Sequence, residues 1–288
     1  MEKLKNIAGV TLVEILIGII ISTVMMGAMY TSYNAVSGSY SQVSDRAKIS
    51  NQGRDLVGMI VRDIRNAGFR YFGDNIPVTS AHSPIIITKA KNFNSECDTL
   101  VVVYGGGKYV SGKYQYAKYR VKYHCEPSKI RDKNSPKLPS GQYPLLKGFG
   151  VYKTKEIWDK NANKWNTNAD SDAYDETFEK QLVADYIEDM VFIPIDENGF
   201  ALDPPPSPTF QKEKLYKIKT VDVAITVRST KPFYQRAAER YKQAISNVQR
   251  TSKYKGNPDR FFRDLITVTA HAGNLGLQWE IIKKKDLL

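Results

Sequence analysis

A single carboxylate, Glu14, interrupts an otherwise apolar stretch that runs from Val10 to Tyr30. A charged side chain inside a membrane-length helix costs roughly 2.5–3.5 kcal/mol at the bilayer centre, so it is retained where it has a role. The chemistry open to Glu14 is pairing with an amine, which relieves the cost of both charges in an apolar setting. The alternative is that the carboxylate extends to the lipid–water interface, because Glu14 lies near one end of the stretch.

A second candidate is a cationic strip, which we define as Lys118, Arg120 and Lys122. These residues alternate with apolar and aromatic ones, so on a strand the three cations share one face. The formal net charge is +12, and such a strip is typical of a surface for a polyanion: DNA or an anionic surface polymer (teichoic or lipid phosphate, acidic glycan). The alternative is a half-buried strand with a solvated outer face, whose lysines discourage edge aggregation.

The other polar residues form no catalytic constellation in the sequence. The histidines His82, His124 and His271 are scattered over strand-like segments, and no G-x-S-x-G or H-E-x-x-H sequence occurs. His271 lies in an apolar strand pattern and is expected to be a core residue. Asp196 and Asn198 offer oxygen ligands for calcium, but the spacing of an EF-hand loop is missing, so we interpret them as part of a turn. We therefore expect no enzyme activity, no metal and no cofactor.

The element that positions Glu14 is the apolar stretch itself, residues 10–30. As a helix it is about 31 Å long, close to the thickness of the hydrocarbon core of a bilayer. A secretory signal peptide also pairs a basic start with an apolar stretch, and the small residues around 35–39 leave a cut beyond the stretch open. A plain single-pass anchor explains the length, but it explains neither Gly9 nor Glu14.

Beyond Tyr30 the sequence turns polar but keeps a helical pattern up to Gly68, an expected C-terminal stop. Apolar residues recur at spacings of three and four: Leu56, Val57, Ile60, Val61, Ile64 and Ala67. Charged residues are expected on the other face: Arg54, Asp55, Arg62, Asp63 and Arg65. Residues 31–68 are therefore predicted to be the amphipathic half of one continuous helix, which lays its apolar stripe on a globular, β-rich head domain of residues 69–288.

The residues Gly9, Val10, Thr11, Leu12 and Glu14, preceded by a short basic leader of residues 1–9, resemble the class III signal of type IV prepilins and pseudopilins. The resemblance implies that a prepilin peptidase cuts after Gly9, and that Val10 becomes the N-terminus with a free or methylated amine. Glu14 would then pair with the N-terminal amine of a neighbouring subunit and set the axial register of a filament.

Later segments resemble, more loosely, PilW-like minor pilins and the J-type pseudopilins of type II secretion. These segments are 62–70, 98–105, 183–199, 221–228 and 260–274. The resemblance implies an α+β type IV pilin fold, in which the long N-terminal helix packs on an antiparallel β-sheet. It also implies a minor pilin that helps prime assembly at or near the pilus tip. The alternatives are a J-type pseudopilin of a type II secretion pseudopilus and a pilus-associated module that binds DNA or a surface.

The partners implied are other minor and major pilins through the N-terminal helix, the inner-membrane assembly platform, the prepilin peptidase and, before assembly, membrane lipid. The head is expected in the periplasm of a bacterium, anchored in the inner membrane, and afterwards in a pilus or pseudopilus. Disulfides persist on that side of the membrane. Cys97 and Cys125 lie in or beside neighbouring strand-like segments, so we predict that they form a disulfide that closes a long hairpin.

Six strands are predicted in the head: 84–89, 99–104, 114–125, 185–195, 216–229 and 265–272. A turn is expected at Gly105–Gly107, and residues 203–208 are predicted to be a stiff extended linker. Two insertions match no pattern of the family: an exposed loop at 159–179 and a segment at 230–259 whose residues 233–249 have helical spacing.

Overall fold

The computed structural model describes residues 10–69, 82–90, 97–131, 133, 136–145, 148–167, 177–233 and 260–275. The chain divides into two compact units, Met1–Ala47 and Lys48–Leu288. One helix, α1 (Leu12–Asn66), contributes to both. We describe the two units separately.

The first unit is the N-terminal part of α1. Its large apolar side chains are exposed, from Val10 at 72% to Val43 at 65%. The most apolar window of α1 has a mean hydropathy of 2.2, so this helix is long and apolar enough to cross a membrane. The layout therefore fits a single-pass membrane anchor near the N-terminus.

The second unit is an antiparallel β-sheet packed against the C-terminal part of α1. The strands are β1 (Ile85–Thr88), β2 (Thr99–Val110), β3 (Lys113–Pro127), β4 (Phe149–Asp159), β5 (Lys164–Asn166), β6 (Phe178–Asp196), β7 (Ile218–Pro232) and β8 (Phe261–His271). Their order is β1-β2-β3-β4-β6-β7-β8, and β5 pairs with β4. A short helix, α2 (Lys212–Tyr216), precedes β7. The unit is therefore an α+β arrangement with the sheet predicted from the sequence.

The predicted apolar stripe of α1 faces the sheet. Leu56, Ile60 and Ile64 are fully buried in the main hydrophobic core, together with residues of every long strand. At Gly53 the helix lies so close that an added Cβ would be 2.3 Å from Ile266 Cδ1. After Asn66 the chain leaves the helix through Gly68, which has the positive φ of 75° typical of a helix stop.

The prediction of a turn at Gly105–Gly107 is wrong, because β2 continues through these residues and Gly105 pairs with Lys118. Glycine is needed there for close approach: a Cβ on Gly105 would be 2.6 Å from Tyr116 Oη and 2.9 Å from the Phe69 carbonyl oxygen. The hairpin turns instead at Ser111 and Gly112, both with positive φ. Two such residues in succession are typical of a tight β-hairpin turn.

Strand β4 was not predicted, because its alternation of Lys, Thr and Glu gives no continuous apolar face. The predicted loop at 159–179 contains β5 and the start of β6, and its residues 168–176 lie outside the described part of the chain. The predicted helical segment at 233–249 lies outside it as well, except for Phe233. His271 is exposed on the edge strand β8 and is not the core residue that was expected.

Candidate functional site

The start of α1 is closed by a reciprocal contact between Thr11 and Glu14. Glu14 Oε2 accepts hydrogen bonds from the Thr11 backbone N at 2.8 Å and from its hydroxyl at 2.9 Å. The Glu14 backbone N in turn donates to Thr11 Oγ1 at 3.3 Å. This is a capping box, in which Thr and Glu three residues apart satisfy orphan donors of the first helical turn. The Thr-x-x-Glu spacing was visible in the sequence but was not interpreted in this way.

The capping box gives Glu14 a local role at the positive end of the helix dipole. Its surroundings are apolar and open: Leu12, Val13 and Ile15 are 75%, 61% and 54% exposed. Val10 is described and lies just before the helix, whereas Gly9 lies outside the described residues. The region therefore presents a carboxylate, held in place by Thr11, on an uncovered apolar helix.

The cationic strip lies on β3 as predicted, but it is not an open row of cations. Lys118 is buried, at 4% exposure. Arg120 donates from Nη2 to Glu156 Oε1 at 2.8 Å, and its guanidinium lies 4.9 Å from the centre of the Trp165 ring. Of the three residues, Lys122 alone is exposed to solvent. Burial of Lys118 and the ion pair of Arg120 therefore make two of the three cations less accessible to a polyanion.

The aromatic cluster beside Arg120 has three rings. Trp158 and Trp165 pair across β4 and β5, and their ring centroids are 5.1 Å apart. The His82 ring lies 4.4 Å from that of Trp158 and is buried. This cluster lies beside Arg120 on the cationic face of β3. That face, which was expected to be solvated, is therefore partly covered.

The structure contains the predicted disulfide between Cys97 and Cys125, and further contacts beside it connect neighbouring strands of the sheet. The next residue, Asp98, is fully buried. Its Oδ1 accepts a hydrogen bond from the Ala90 backbone N at 3.0 Å, and its Oδ2 accepts one from the Phe192 N at 3.1 Å. Lys89 Nζ lies 3.3 Å from the same Oδ2. The start of β2 is thus joined to β3 covalently and to β6 by hydrogen bonds.

A buried ion pair links α1 to β4. Lys153 Nζ lies 2.8 Å from Asp63 Oδ2, and the Tyr123 hydroxyl donates to the same oxygen at 2.5 Å. Asp63 and Lys153 are 3% and 8% exposed. The contact with Asp63 and burial both raise the pKa of Tyr123, burial being the larger cause. The prediction that Asp63 lies on the solvent face of the helix is wrong. Asp63 faces the sheet, where it pairs with Lys153 of β4.

The two weaker candidates form ordinary structural contacts. Asp196 Oδ1 accepts hydrogen bonds from the backbone N of Asn198 at 2.9 Å and of Phe200 at 2.8 Å, as in a side-chain-capped turn. His124 Nε2 lies 3.3 Å from Glu126 Oε1, and partial burial lowers the pKa of His124. Within the described ranges, no group of three or more His, Cys, Asp or Glu side chains is placed to hold a metal ion.

The chain matches no protein-family model, no curated protein and no solved structure. The assignment of a function therefore depends on the residues at the start of α1 and on the architecture that carries them.

Proposed function

We propose that this protein is a minor type IV pilin, a structural subunit that helps prime assembly at or near the pilus tip. The observation that carries the proposal is the start of α1: Gly9 and Val10 precede a Thr11–Glu14 capping box on an exposed apolar helix. The packing of the same helix, further along, on an antiparallel sheet with a disulfide supports it. The type IV pilin fold belongs to this proposal.

In this function the helix anchors the subunit in the inner membrane, with the head in the periplasm. The prepilin peptidase cuts after Gly9 and leaves the helix in the membrane until the subunit is assembled. Thr11 lowers the cost of carrying a carboxylate in lipid, because Glu14 then has hydrogen-bond donors of its own. During assembly the N-terminal amine of a neighbouring pilin replaces part of this local bonding. Pairing of the two charges selects the axial register, a role for which buried charges are better suited than for stability.

Replacing Glu14 tests this function. Glu14→Ala is expected to leave membrane insertion intact, because it removes a charge from an apolar stretch, and to impair incorporation into filaments. Membrane fractionation and immunodetection of sheared filaments measure the two effects separately. Thr11→Val is the matched control: it removes the capping hydroxyl but keeps the carboxylate, so we expect more incorporation than for Glu14→Ala. Normal incorporation of Glu14→Ala would refute the pairing role.

A J-type pseudopilin of a type II secretion system has the same helix chemistry and is the second candidate. The genes beside this one distinguish the two, since retraction and pilus-tip genes accompany a pilus and secretin-export genes accompany secretion. The third candidate, a module that binds DNA or an anionic surface polymer, is weakened by the burial of Lys118 and the ion pair of Arg120. If the head bound DNA through this strip, replacing Lys118, Arg120 and Lys122 with Glu would abolish binding at low salt.

A further inference from the structure

The sheet ends in two edge strands, β1 and β8, and the core is closed at one of them only. β1 has four residues, and its inward-facing Ile85 and Ile87 are buried, at 0% and 7% exposure. Very short edge strands are one way in which proteins prevent pairing at an edge. β8 has eleven residues, and its inward-facing Ile266 and Val268 are only partly buried. The core is therefore covered at β1 and left open at β8.

The backbone groups on the outer edge of β8 follow from its pairing with β7. The Ala272 N donates to the Lys219 carbonyl oxygen at 2.9 Å, and the pairing has no register shift between Arg263 and His271. In an antiparallel pair, successive residues direct their N–H and C=O groups alternately toward the partner strand and away from it. The odd-numbered residues from Leu265 to His271 therefore direct these groups outward. In the part of the chain that the structure describes, no strand pairs with this edge.

The sequence along this edge carries none of the features that discourage pairing. Leu265–His271 contains no Lys, Arg, Asp, Glu, Pro or Gly, and its pairing with β7 has no bulge. The four successive residues from Ile266 to Thr269 are β-branched, a residue type that favours extended strands. A long, uncharged and regular edge is a template for strand addition, in which main-chain hydrogen bonds give affinity and alternate side chains give specificity.

We propose that the outer edge of β8 takes an extended segment from another subunit of the filament, an inference that rests on the proposed pilin function. The strand lies beside α1: Ile266 faces the helix at Gly53, and just beyond the strand Asn274 Nδ2 donates to the Arg65 carbonyl oxygen at 3.0 Å. In the pilin function α1 packs on neighbouring subunits. An edge that runs beside α1 is therefore placed to meet the head of such a neighbour.

The edge also defines the side chains of the segment that it takes. On the face toward α1 these are apolar, because they complete the burial of Ile266 and Val268. On the opposite face they lie beside Thr267 and Thr269, which are exposed, so small hydroxyl side chains fit there. The segment is therefore extended and uncharged, and it alternates between apolar and hydroxyl residues.

Peptide binding to the full chain in detergent tests the edge. The probe is a short fluorescent peptide of alternating Val and Thr, and its control is the same peptide with methylated backbone nitrogens, which donate no hydrogen bonds. Thr267→Pro removes an outward N–H, a change that an edge strand tolerates. We expect it to weaken binding of the probe by about tenfold, since a backbone hydrogen bond is lost and the ring obstructs the edge. Thr267→Val keeps the N–H and is expected to bind the probe as the unmodified chain does.

A second variant keeps the test independent of any effect of proline on folding. Thr267→Lys with Thr269→Lys changes two exposed side chains and leaves the backbone as it is, and it is expected to weaken binding of the probe several-fold. Unfolding followed by tryptophan fluorescence verifies that each variant is folded. Strand addition would be overturned if the unmodified chain did not bind the probe, if it bound the methylated peptide as tightly, or if the folded variants bound the probe unchanged.

Filament assembly tests the occupant. Thr267→Pro is expected to lower incorporation into sheared filaments several-fold with cleavage after Gly9 unchanged, whereas Thr267→Val is expected to leave both unchanged. Normal incorporation of folded Thr267→Pro would overturn another subunit as the occupant. So would self-association of the purified chain that Thr267→Pro abolishes, since the occupant would then be a second copy. If the unmodified chain were not cleaved after Gly9, the pilin function and with it this occupant would fall, whereas binding of the probe would still support strand addition.

Discussion

Asp63 and Lys153 are each held by a partner that lies far away in the sequence. Each would be costly to bury alone, and their 2.8 Å contact, completed by the Tyr123 hydroxyl, offsets that cost. Replacing such a pair by apolar residues is often neutral or stabilising, whereas removing one member is not. The contact therefore fixes the orientation of α1 on the sheet more than it stabilises the fold.

Lys153→Met is expected to lower the free energy of unfolding by about 3–5 kcal/mol, because it leaves the Asp63 carboxylate buried without its cation. Adding Asp63→Leu and Tyr123→Phe is expected to recover most of this loss. Denaturant unfolding of the full chain in detergent, followed by tryptophan fluorescence, measures both. Lys122→Met, at an exposed position of β3, is the control and should change little. Equal losses in the single and triple variants would refute the ion-pair account.

Acid stability depends on Glu126, which Lys180 contacts at 2.8 Å. This contact is the largest cause that lowers the pKa of Glu126 from 4.5 to about 2, and it raises the pKa of Lys180. The unfolded state therefore binds more protons, and stability present above pH 4.5 is lost as the pH falls toward 2. Glu126→Gln is expected to flatten the unfolding free energy in this window, measured by denaturation at a series of pH values.

His124 acts in a different window. Its pKa is lowered from 6.5, mainly by burial, so below pH 6.5 the unfolded state takes up a proton first and stability falls as the pH falls. His124→Gln is therefore a useful comparison with Glu126→Gln: it should change the profile near pH 6, and it should change the acid window less than Glu126→Gln does, because His124 is a smaller cause of the lowered pKa of Glu126 than Lys180 is. A steep loss between pH 4.5 and 2 that persists in Glu126→Gln would contradict the assignment.

At the scale of elements, two glycines of α1, Gly53 and Gly58, have different surroundings. A Cβ at Gly53 would meet Ile266 and Val227, whereas a Cβ at Gly58 would meet nothing within 4 Å. Both positions lie in the part of the helix that belongs to the second unit, five residues apart. Close packing of the helix on the sheet therefore requires glycine at position 53. At position 58 the packing leaves room for a side chain.

Gly58→Ala is expected to raise the free energy of unfolding by about 0.5–1 kcal/mol, because alanine loses less conformational freedom in a helix interior. Gly53→Ala gains the same propensity but must displace Ile266, and overpacking typically costs about 1–3 kcal/mol. We therefore expect the two substitutions to shift the denaturation midpoint in opposite directions. A stabilising Gly53→Ala would contradict the close helix–sheet contact.

The elements with a regular apolar pattern could be predicted from the sequence, namely α1 and most strands of the sheet. The stripe through Leu56, Ile60 and Ile64 repeats at helical spacing, and Gly68 ends it as expected. Strand β4 could not be predicted, because the charged Lys153 occupies an inward-facing position where an apolar residue is expected. Its burial depends on the ion pair with Asp63 of α1, which the local sequence does not indicate. The burial of Asp63 could not be predicted for the same reason, because its partners Lys153 and Tyr123 lie far away in the sequence.

For the whole molecule, the anchor and the head make separate contributions. In the proposed function the apolar part of α1 carries the membrane and filament chemistry, and the disulfide-bonded sheet packs against the C-terminal part of α1. The candidate residues follow this division: Glu14 belongs to the anchor, whereas Lys118 and Arg120 of the cationic strip take part in the packing of the sheet. The division is consistent with the proposed pilin function, in which the helix would assemble while the head stays folded.

The measurement that tests the proposed pilin function most directly is the N-terminal sequence and intact mass of the chain after co-expression with a prepilin peptidase. We predict a mature protein that begins at Val10, and loss of this product in the Gly9→Val variant. A chain that remains uncut would contradict the account, because Val10 would then carry no free amine. A chain cut beyond Tyr30 would contradict it too, because the apolar helix and Glu14 would be lost.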